Sequence, residues 1–282
     1  MNNDDRVLTT VRKPRSRRLF GWIKVFIIVY CLIGIAIYYL QDYFVLHPEV
    51  VPNSEKYTFT NPFEELNIYY DEHVNINLVK FSHTGSTFKG IILYFHGNRN
   101  NIKRYAGFVE PLSRHGYEVW MMDYPGFGKS TGKFSEELVY AWSLVAYNLA
   151  RKQVAPDSII LFGKSLGSGF AAQLASVRDC KHLVLETPYY SMLSMADTYF
   201  WMYPTRWMIK YTIPTYRFLE KVTAPITIFH GTDDSVIPFS NAKRLQEKLK
   251  KGDAFITIPQ GTHNNLNSHP LMRNKIDSLL SL

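Results

Sequence analysis

Three patterns of apolar residues divide this chain. The first is continuous: Leu19 to Leu40 reads LFGWIKVFIIVYCLIGIAIYYL, interrupted by one charge, Lys24. A helix needs roughly 20 apolar residues to cross about 30 Å of hydrocarbon. The run meets that length when Lys24 extends its ammonium toward the headgroups. Trp22, Tyr38, Tyr39 and Tyr43 stand where interfacial aromatics stand. The run has no polar face, which argues against a helix half-buried on a globular domain. The second pattern is a series of short apolar runs: HVNINLVKF (73–81), GIILYFHG (90–97), YEVWMMD (117–123), SIILFG (158–163), HLVLE (182–186), PITIFH (225–230) and AFITI (254–258). The first alternates with period two, as a half-buried strand does, and the others suit strands buried on both faces. The third pattern fills the gaps with helix-like stretches at 100–115, 135–152, 165–178, 239–250 and 270–281. Strands alternating with helices predict an α/β fold, a mostly parallel central sheet with helices on both faces.

Two intervals depart from that rhythm. Residues 41–65, with Pro48, Pro52 and Pro62, read as a connector. Residues 188–222 separate two strands by far more than one helix needs and are rich in Tyr, Trp, Phe and Met, including Tyr199, Trp201, Met202 and Trp207. That composition predicts a helical cap over the carboxyl edge of the sheet. Plain core packing is the competing account of the same aromatics. The expected organisation is a basic tail at 1–18, a transmembrane signal anchor at 19–40, the connector, and a catalytic domain from 66 to 282.

Composition changes this picture little. With 282 residues and 46% hydrophobic content the chain can bury a full core. The net charge of +8 invites a polyanion partner. More than half of it, however, comes from Arg6, Arg12, Lys13, Arg15, Arg17, Arg18 and Lys24 set against Asp4 and Asp5. The mildly basic remainder gives no footprint for nucleic acid. The cationic cluster ahead of the apolar run instead predicts a cytoplasmic N-terminus and a domain on the non-cytoplasmic side, as for a bacterial inner membrane protein facing the periplasm. A cleaved signal peptide would need small residues at its exit, and YYLQDYF offers none. Of two cysteines, Cys31 lies in the apolar run, so Cys180 has no partner for a disulfide within the domain.

The chemistry sits at strand ends. Gly163-Lys164-Ser165-Leu166-Gly167 is a G-x-S-x-G pattern directly after an apolar strand and before a helix, the context of a nucleophile elbow. A serine hydroxyl barely ionises at neutral pH, so it needs a base, and the base needs an orienting acid. After PITIFH comes Gly231-Thr232-Asp233-Asp234; after AFITI comes Pro259-Gln260-Gly261-Thr262-His263. Ser165, an aspartate and His263 thus follow the chain order this fold uses. The residues alone leave Asp233 and Asp234 as competing acids, with Glu186 a weaker substitute. An acyl oxyanion needs two donors; the N–H of Leu166 and the N–H of Asn98, in the His96-Gly97-Asn98 loop, are the candidates, with His96 expected to buttress that loop. Gly128-Lys129-Ser130 and Gly163-Lys164-Ser165 both lack the first glycine of a phosphate-binding loop. Nine histidines without an H-x-x-x-H pair suggest no metal site. No cofactor is expected.

These motifs resemble the α/β-hydrolase superfamily over about residues 66 to 282. More narrowly they are similar to membrane-anchored serine aminopeptidase-like hydrolases, which share an anchor, an LHP element (46–48), an HGN loop, a D-Y-x-G-x-G turn (Asp123 to Gly128), GxSLG, HGTxD and a Gly-x-His close. The resemblance implies Ser165, Asp234 and His263 as the triad, choosing Asp234 over its neighbour, and Asn98 and Leu166 as backbone oxyanion donors. Arg99-Asn100-Asn101 and Pro125 depart from the pattern without touching the triad. Arg99 is a candidate contact for an anionic substrate group, or a solvated charge. The expected activity is cleavage of a carboxylic ester of an acyl chain or lipid. Acyl-thioesters, small peptides, and a non-catalytic binding role on the same scaffold are the alternatives.

Overall fold

The structure is a computed structural model describing residues 15–72, 74–85 and 87–281, with side chains from residue 19. The side chains of the basic tail lie outside the described residues. The chain separates into two units, one up to Phe44 and one from Val45. The first is helix α1 (Arg15–Val45), within which Leu19–Val45 is long and apolar enough to cross a membrane, with none of that stretch buried.

The second unit holds an eight-stranded sheet. Its strands are β2 (Phe63–Tyr69), β3 (Asn75–Phe81), β4 (Gly90–Phe95), β6 (Tyr117–Met122), β7 (Ile159–Lys164), β8 (His182–Glu186), β9 (Ile226–Gly231) and β10 (Ala254–Ile258). Their order is β10-β9-β8-β7-β4-β6-β3-β2, and only the β2–β3 and β3–β6 pairs are antiparallel. A separate two-stranded ladder joins β1 (His47–Pro48) to β5 (Arg99–Asn100).

Alternation along each strand feeds two cores. Ile91, Leu93 and Phe95 of β4 face one layer with Trp142 and Ala146 of α4 (Glu136–Arg151) and Phe170 and Leu174 of α5 (Leu166–Ala175). Ile92 and Tyr94 face the other, with Ile102 of α2 (Ile102–Tyr105), Leu112 of α3 (Glu110–Ser113), and Met272 and Ile276 of α10 (Pro270–Ser281). Helices on both faces satisfy the burial that continuous apolar strands require. The predicted helix over 100–115 forms as α2, a 3₁₀ turn (Ala106–Phe108) and α3, with Pro111 in the first turn of α3. The stretch at 239–250 forms α9 (Phe239–Lys243) and then tightens into a 3₁₀ turn.

The segment read as a connector is not slack. Helix α1 runs on to Val45; Leu46, Val51 and Tyr57 are buried, and β2 begins at Phe63. Between β8 and β9 stand three short helices, α6 (Met192–Tyr199), α7 (Thr205–Met208) and α8 (Thr215–Leu219). They are pinned rather than loose. Glu136, at the start of α4, accepts from the Thr212 and Ile213 N–H groups, and Asn241 bonds both Tyr190 N–H and Ser194 Oγ. The aromatics of this segment divide: Tyr189 and Tyr211 are buried, whereas Trp201 and Trp207 are exposed.

Candidate active site

The strand–helix turn after β7 carries Ser165 at φ 52°, ψ −119°, a backbone conformation that L-residues rarely adopt. Two glycines make it sterically possible. A Cβ on Gly163 would meet the Gly167 carbonyl at 2.5 Å, and one on Gly167 would meet the Phe95 carbonyl at 2.1 Å. The Ser165 N–H donates to the Glu186 carbonyl at 2.9 Å. Its Oγ is thereby raised at the N-terminus of α5, where the first helical N–H groups lack intrahelical partners and favour negative charge.

His263 and Asp234 reach it from the loops after β10 and β9. His263 Nε2 lies 2.9 Å from Ser165 Oγ, and its Nδ1 lies 2.8 Å from Asp234 Oδ2. All three residues are buried, with exposures of 7%, 9% and 6% for Ser165, His263 and Asp234. The other oxygen of Asp234 accepts the N–H groups of Val236 and Ile237, each at 2.8 Å. Burial alone would push the Asp234 carboxyl up. The hydrogen bond and charge of His263, with the Ile237 N–H, outweigh it and hold the group below the ordinary aspartate value. Asp233 points elsewhere, accepting from the Thr232 hydroxyl in an exposed position. The carboxylate that meets the imidazole is therefore that of Asp234.

The His96-Gly97-Asn98 loop lies against the serine, since a Cβ on Gly97 would sit 3.6 Å from Ser165 Cβ. The Asn98 side chain donates to the Val45 carbonyl at 2.7 Å, and its carbonyl accepts from His47 N–H at 2.9 Å. Its own N–H takes no part in those two bonds. His96 is fully buried between the rings of Tyr105 and Tyr124. Tyr124 Oη donates to the His96 carbonyl at 2.7 Å, and Asp123 accepts the Ile102 N–H at 2.9 Å. The D-Y-x-G-x-G turn thus fastens the loop from below. Arg99 sits in the β1–β5 ladder with its side chain exposed.

Glu186, the substitute acid of the sequence reading, has another partner. It faces Lys164 across the β7–β8 register, and their side chains form a buried ion pair. Lys164 Nζ also donates to the His263 carbonyl at 3.4 Å. His230, likewise unsuspected, donates from Nε2 to the Ile237 carbonyl at 2.9 Å, and the same nitrogen lies 3.5 Å from Asp234 Oδ2. A cavity of about 230 Å³ lined by Tyr94, Phe162, Glu186 and Met272 touches none of Ser165, Asp234 and His263. Among the described residues no group of three or more His, Cys, Asp or Glu is arranged to hold a metal ion.

A mostly parallel sheet carrying a serine on a strained strand–helix turn, with histidine and aspartate on the loops of later strands, fits the α/β-hydrolase fold. The comparisons agree. A model of the serine aminopeptidase (S33) family matches residues 86–220. The α/β-hydrolase domain-containing protein aho-3 of Caenorhabditis elegans is 31% identical over 194 residues, covering 68% of this chain and 57% of that protein. Mouse (Mus musculus) α/β-hydrolase domain-containing protein 17C is 30% identical over 195 residues, covering 67% and 59%. The match thus spans less than two thirds of these relatives' length. Among solved structures, the Pyrococcus furiosus esterase Pf2001 superposes with a TM-score of 0.63 at 16% identity, over 84% of this chain and 96% of that one. A cold-adapted esterase from an Arctic intertidal metagenomic library gives 0.60 at 15%, over 82% and 97%. The chain belongs to the α/β-hydrolase superfamily.

Proposed function

We propose that this protein is a membrane-anchored serine hydrolase that cleaves carboxylic esters of acyl chains or lipids through Ser165, His263 and Asp234. The observation that carries the reading is the continuous hydrogen-bonded line from Asp234 through His263 to Ser165 at a helix N-terminus. Ser165 Oγ attacks the acyl carbon and its proton passes to His263 Nε2. The carboxylate of Asp234 holds the Nδ1–H and stabilises the imidazolium. The oxyanion receives the N–H groups of Asn98 and Leu166. As the tetrahedral intermediate collapses, Nε2 returns the proton to the leaving alkoxide and the alcohol departs. Water, giving a proton to the same nitrogen, then adds to the acyl carbon; the Ser165 Oγ–acyl bond breaks, Nε2 returns the proton to Oγ, and the acid departs.

The preference for acyl chains rests on the apolar helix ahead of the domain and on the aromatic cap beside the acid loop. A fluorophosphonate probe tests the nucleophile: it should label the wild-type chain and leave Ser165→Ala unlabelled. Absence of label on folded wild type would remove the hydrolase reading and leave the binding-protein alternative. Ester, thioester and aminoacyl amide series of increasing chain length, with Ser165→Ala as blank, then separate the leaving groups. The cationic residues before the apolar run support a cytoplasmic N-terminus with the domain on the other side of the membrane. A C-terminal reporter active only in non-cytoplasmic space should therefore be active, and a silent one reverses the orientation.

A further inference from the structure

The tip of the cap exposes apolar surface of a kind soluble domains seldom leave uncovered. Trp201 and Trp207 are 77% and 82% exposed, and Tyr199, Met202 and Val236 are about half exposed. Arg206 and Lys210, both exposed, stand among them in the chain. The same insertion buries Tyr189 and Tyr211, so its aromatics are sorted, and both tryptophans stay outside. The tip is also joined to the site. Tyr199 Oη donates to the Val236 carbonyl at 2.8 Å, and the Val236 N–H donates to Asp234 Oδ1 at 2.8 Å.

A second observation says what covers this surface. The membrane-length run ends at Val45, and the Val45 carbonyl accepts from Asn98 Nδ2. Two residues later His47 and Pro48 pair with Arg99 and Asn100. The chain therefore enters the domain at the loop that packs against Ser165, not at the far edge of the sheet. If α1 is the membrane anchor proposed above, only a few residues of chain separate its end from the loop beside Ser165. Tryptophan, methionine and neighbouring cations are the composition of a surface that settles at the headgroup–acyl boundary, with Arg206 and Lys210 suited to anionic headgroups.

We propose that the cap tip, Tyr199 to Trp207 with Val236, is a membrane-docking surface occupied by the lipid bilayer, which presents acyl chains of that bilayer to Ser165. This rests on the anchored-hydrolase reading above, and the test separates the two. The full chain, with Cys31→Ser and Cys180→Ser, is reconstituted in phosphatidylcholine vesicles containing roughly 25% phosphatidylglycerol as the anionic component. Single cysteines at Trp201→Cys, Trp207→Cys and Lys251→Cys carry an environment-sensitive fluorophore. Lys251 is exposed in the turn before β10, at the edge of the sheet opposite Asp234. Lipids with spin-labelled chains should quench the probes at 201 and 207 by about twofold or more, as interfacial burial requires, and leave the one at 251 unaffected. Equal accessibility to water at all three positions overturns docking. So does a change at 201 and 207 that tracks protein density but not quencher lipid, which would mean contact with a second copy. Catalysis gives the second readout. The double variant Trp201→Asp/Trp207→Asp should lose about tenfold in hydrolysis of a vesicle-embedded long-chain ester through weakened interfacial binding, while a water-soluble short-chain ester is cleaved as by wild type. Equal loss on both esters overturns the docking role. Wild type inert on both esters defeats the hydrolase reading, while the fluorescence still decides docking.

Discussion

At the scale of single residues, the proposed choice between adjacent aspartates rests on direction, not on chain position. Asp234 gives one oxygen to His263 Nδ1 and the other to two backbone N–H groups, so its carboxylate is both held in place and held ionised. Asp233 is bonded to Thr232 in an exposed position. An amide at 234 keeps the shape but presents an NH₂ or a neutral carbonyl to the imidazole, which favours the wrong tautomer and leaves the imidazolium without its counter-charge. Asp234→Asn should therefore lower kcat by about three to four orders of magnitude, as loss of the orienting carboxylate does in serine hydrolases. Asp233→Asn should stay within about threefold of wild type, as exposed changes away from the reacting atoms do. Initial rates on one activated ester measure both. Comparable losses in the two variants would return the assignment to the ambiguity that the bare sequence has.

At the scale of elements, the legible features are those written in local pattern. The seven strands read from apolar runs all form, and the turn after β7 is visible because Gly163 and Gly167 have no room for side chains. Strand β2 was not legible: Glu64 and Glu65 are its second and third residues, and as the edge strand it buries no complete face. The Lys164–Glu186 pair was not legible either, because it exists only through the β7–β8 register, which no local pattern encodes. That pair ties the residue before Ser165 to the end of the next strand, and Lys164 reaches the backbone of His263. Removing one partner leaves a buried charge uncompensated, so Lys164→Met should cost about 3–5 kcal/mol. The double variant Lys164→Met/Glu186→Met removes both charges and should regain most of that stability, since replacing a buried pair with apolar groups is often neutral. It still lacks the tie to the His263 loop. It should fold, by melting temperature, yet react with a fluorophosphonate about tenfold more slowly, the order of loss expected from small misplacement of a reacting group. A double variant as stable and as reactive as wild type would make the pair a feature of packing alone.

At the scale of the whole molecule, buried titratable groups set how the fold responds to acid. Burial pushes the His182 imidazole down to about 4, despite the nearby Asp253 carboxylate, and its Nε2 meets Thr227 Oγ1 at 2.9 Å. Burial also lowers His230, although the Ile237 carbonyl and Asp234 oppose it. Both rings are neutral in the folded protein at neutral pH, where the unfolded chain is largely neutral too, so neither affects stability there. As pH falls through about 6.5, the unfolded histidines take up protons that the folded ones refuse, and stability declines with falling pH. For His182 the decline ends near pH 4, where the folded ring is protonated as well. Asp234 acts lower on the scale: its depressed folded value stabilises the protein above the ordinary aspartate range, and that contribution disappears as pH drops through the folded value. The melting temperature should thus fall in two stages, first between pH 6.5 and 4 and then more steeply below. His182→Gln keeps a hydrogen-bonding group for Thr227 but cannot titrate, so it should flatten the first stage and leave the second. Each proton differentially bound changes the slope by about 1.4 kcal/mol per pH unit at most, which thermal or denaturant melts over that interval resolve. An unchanged slope in His182→Gln would assign the first stage to His230 instead.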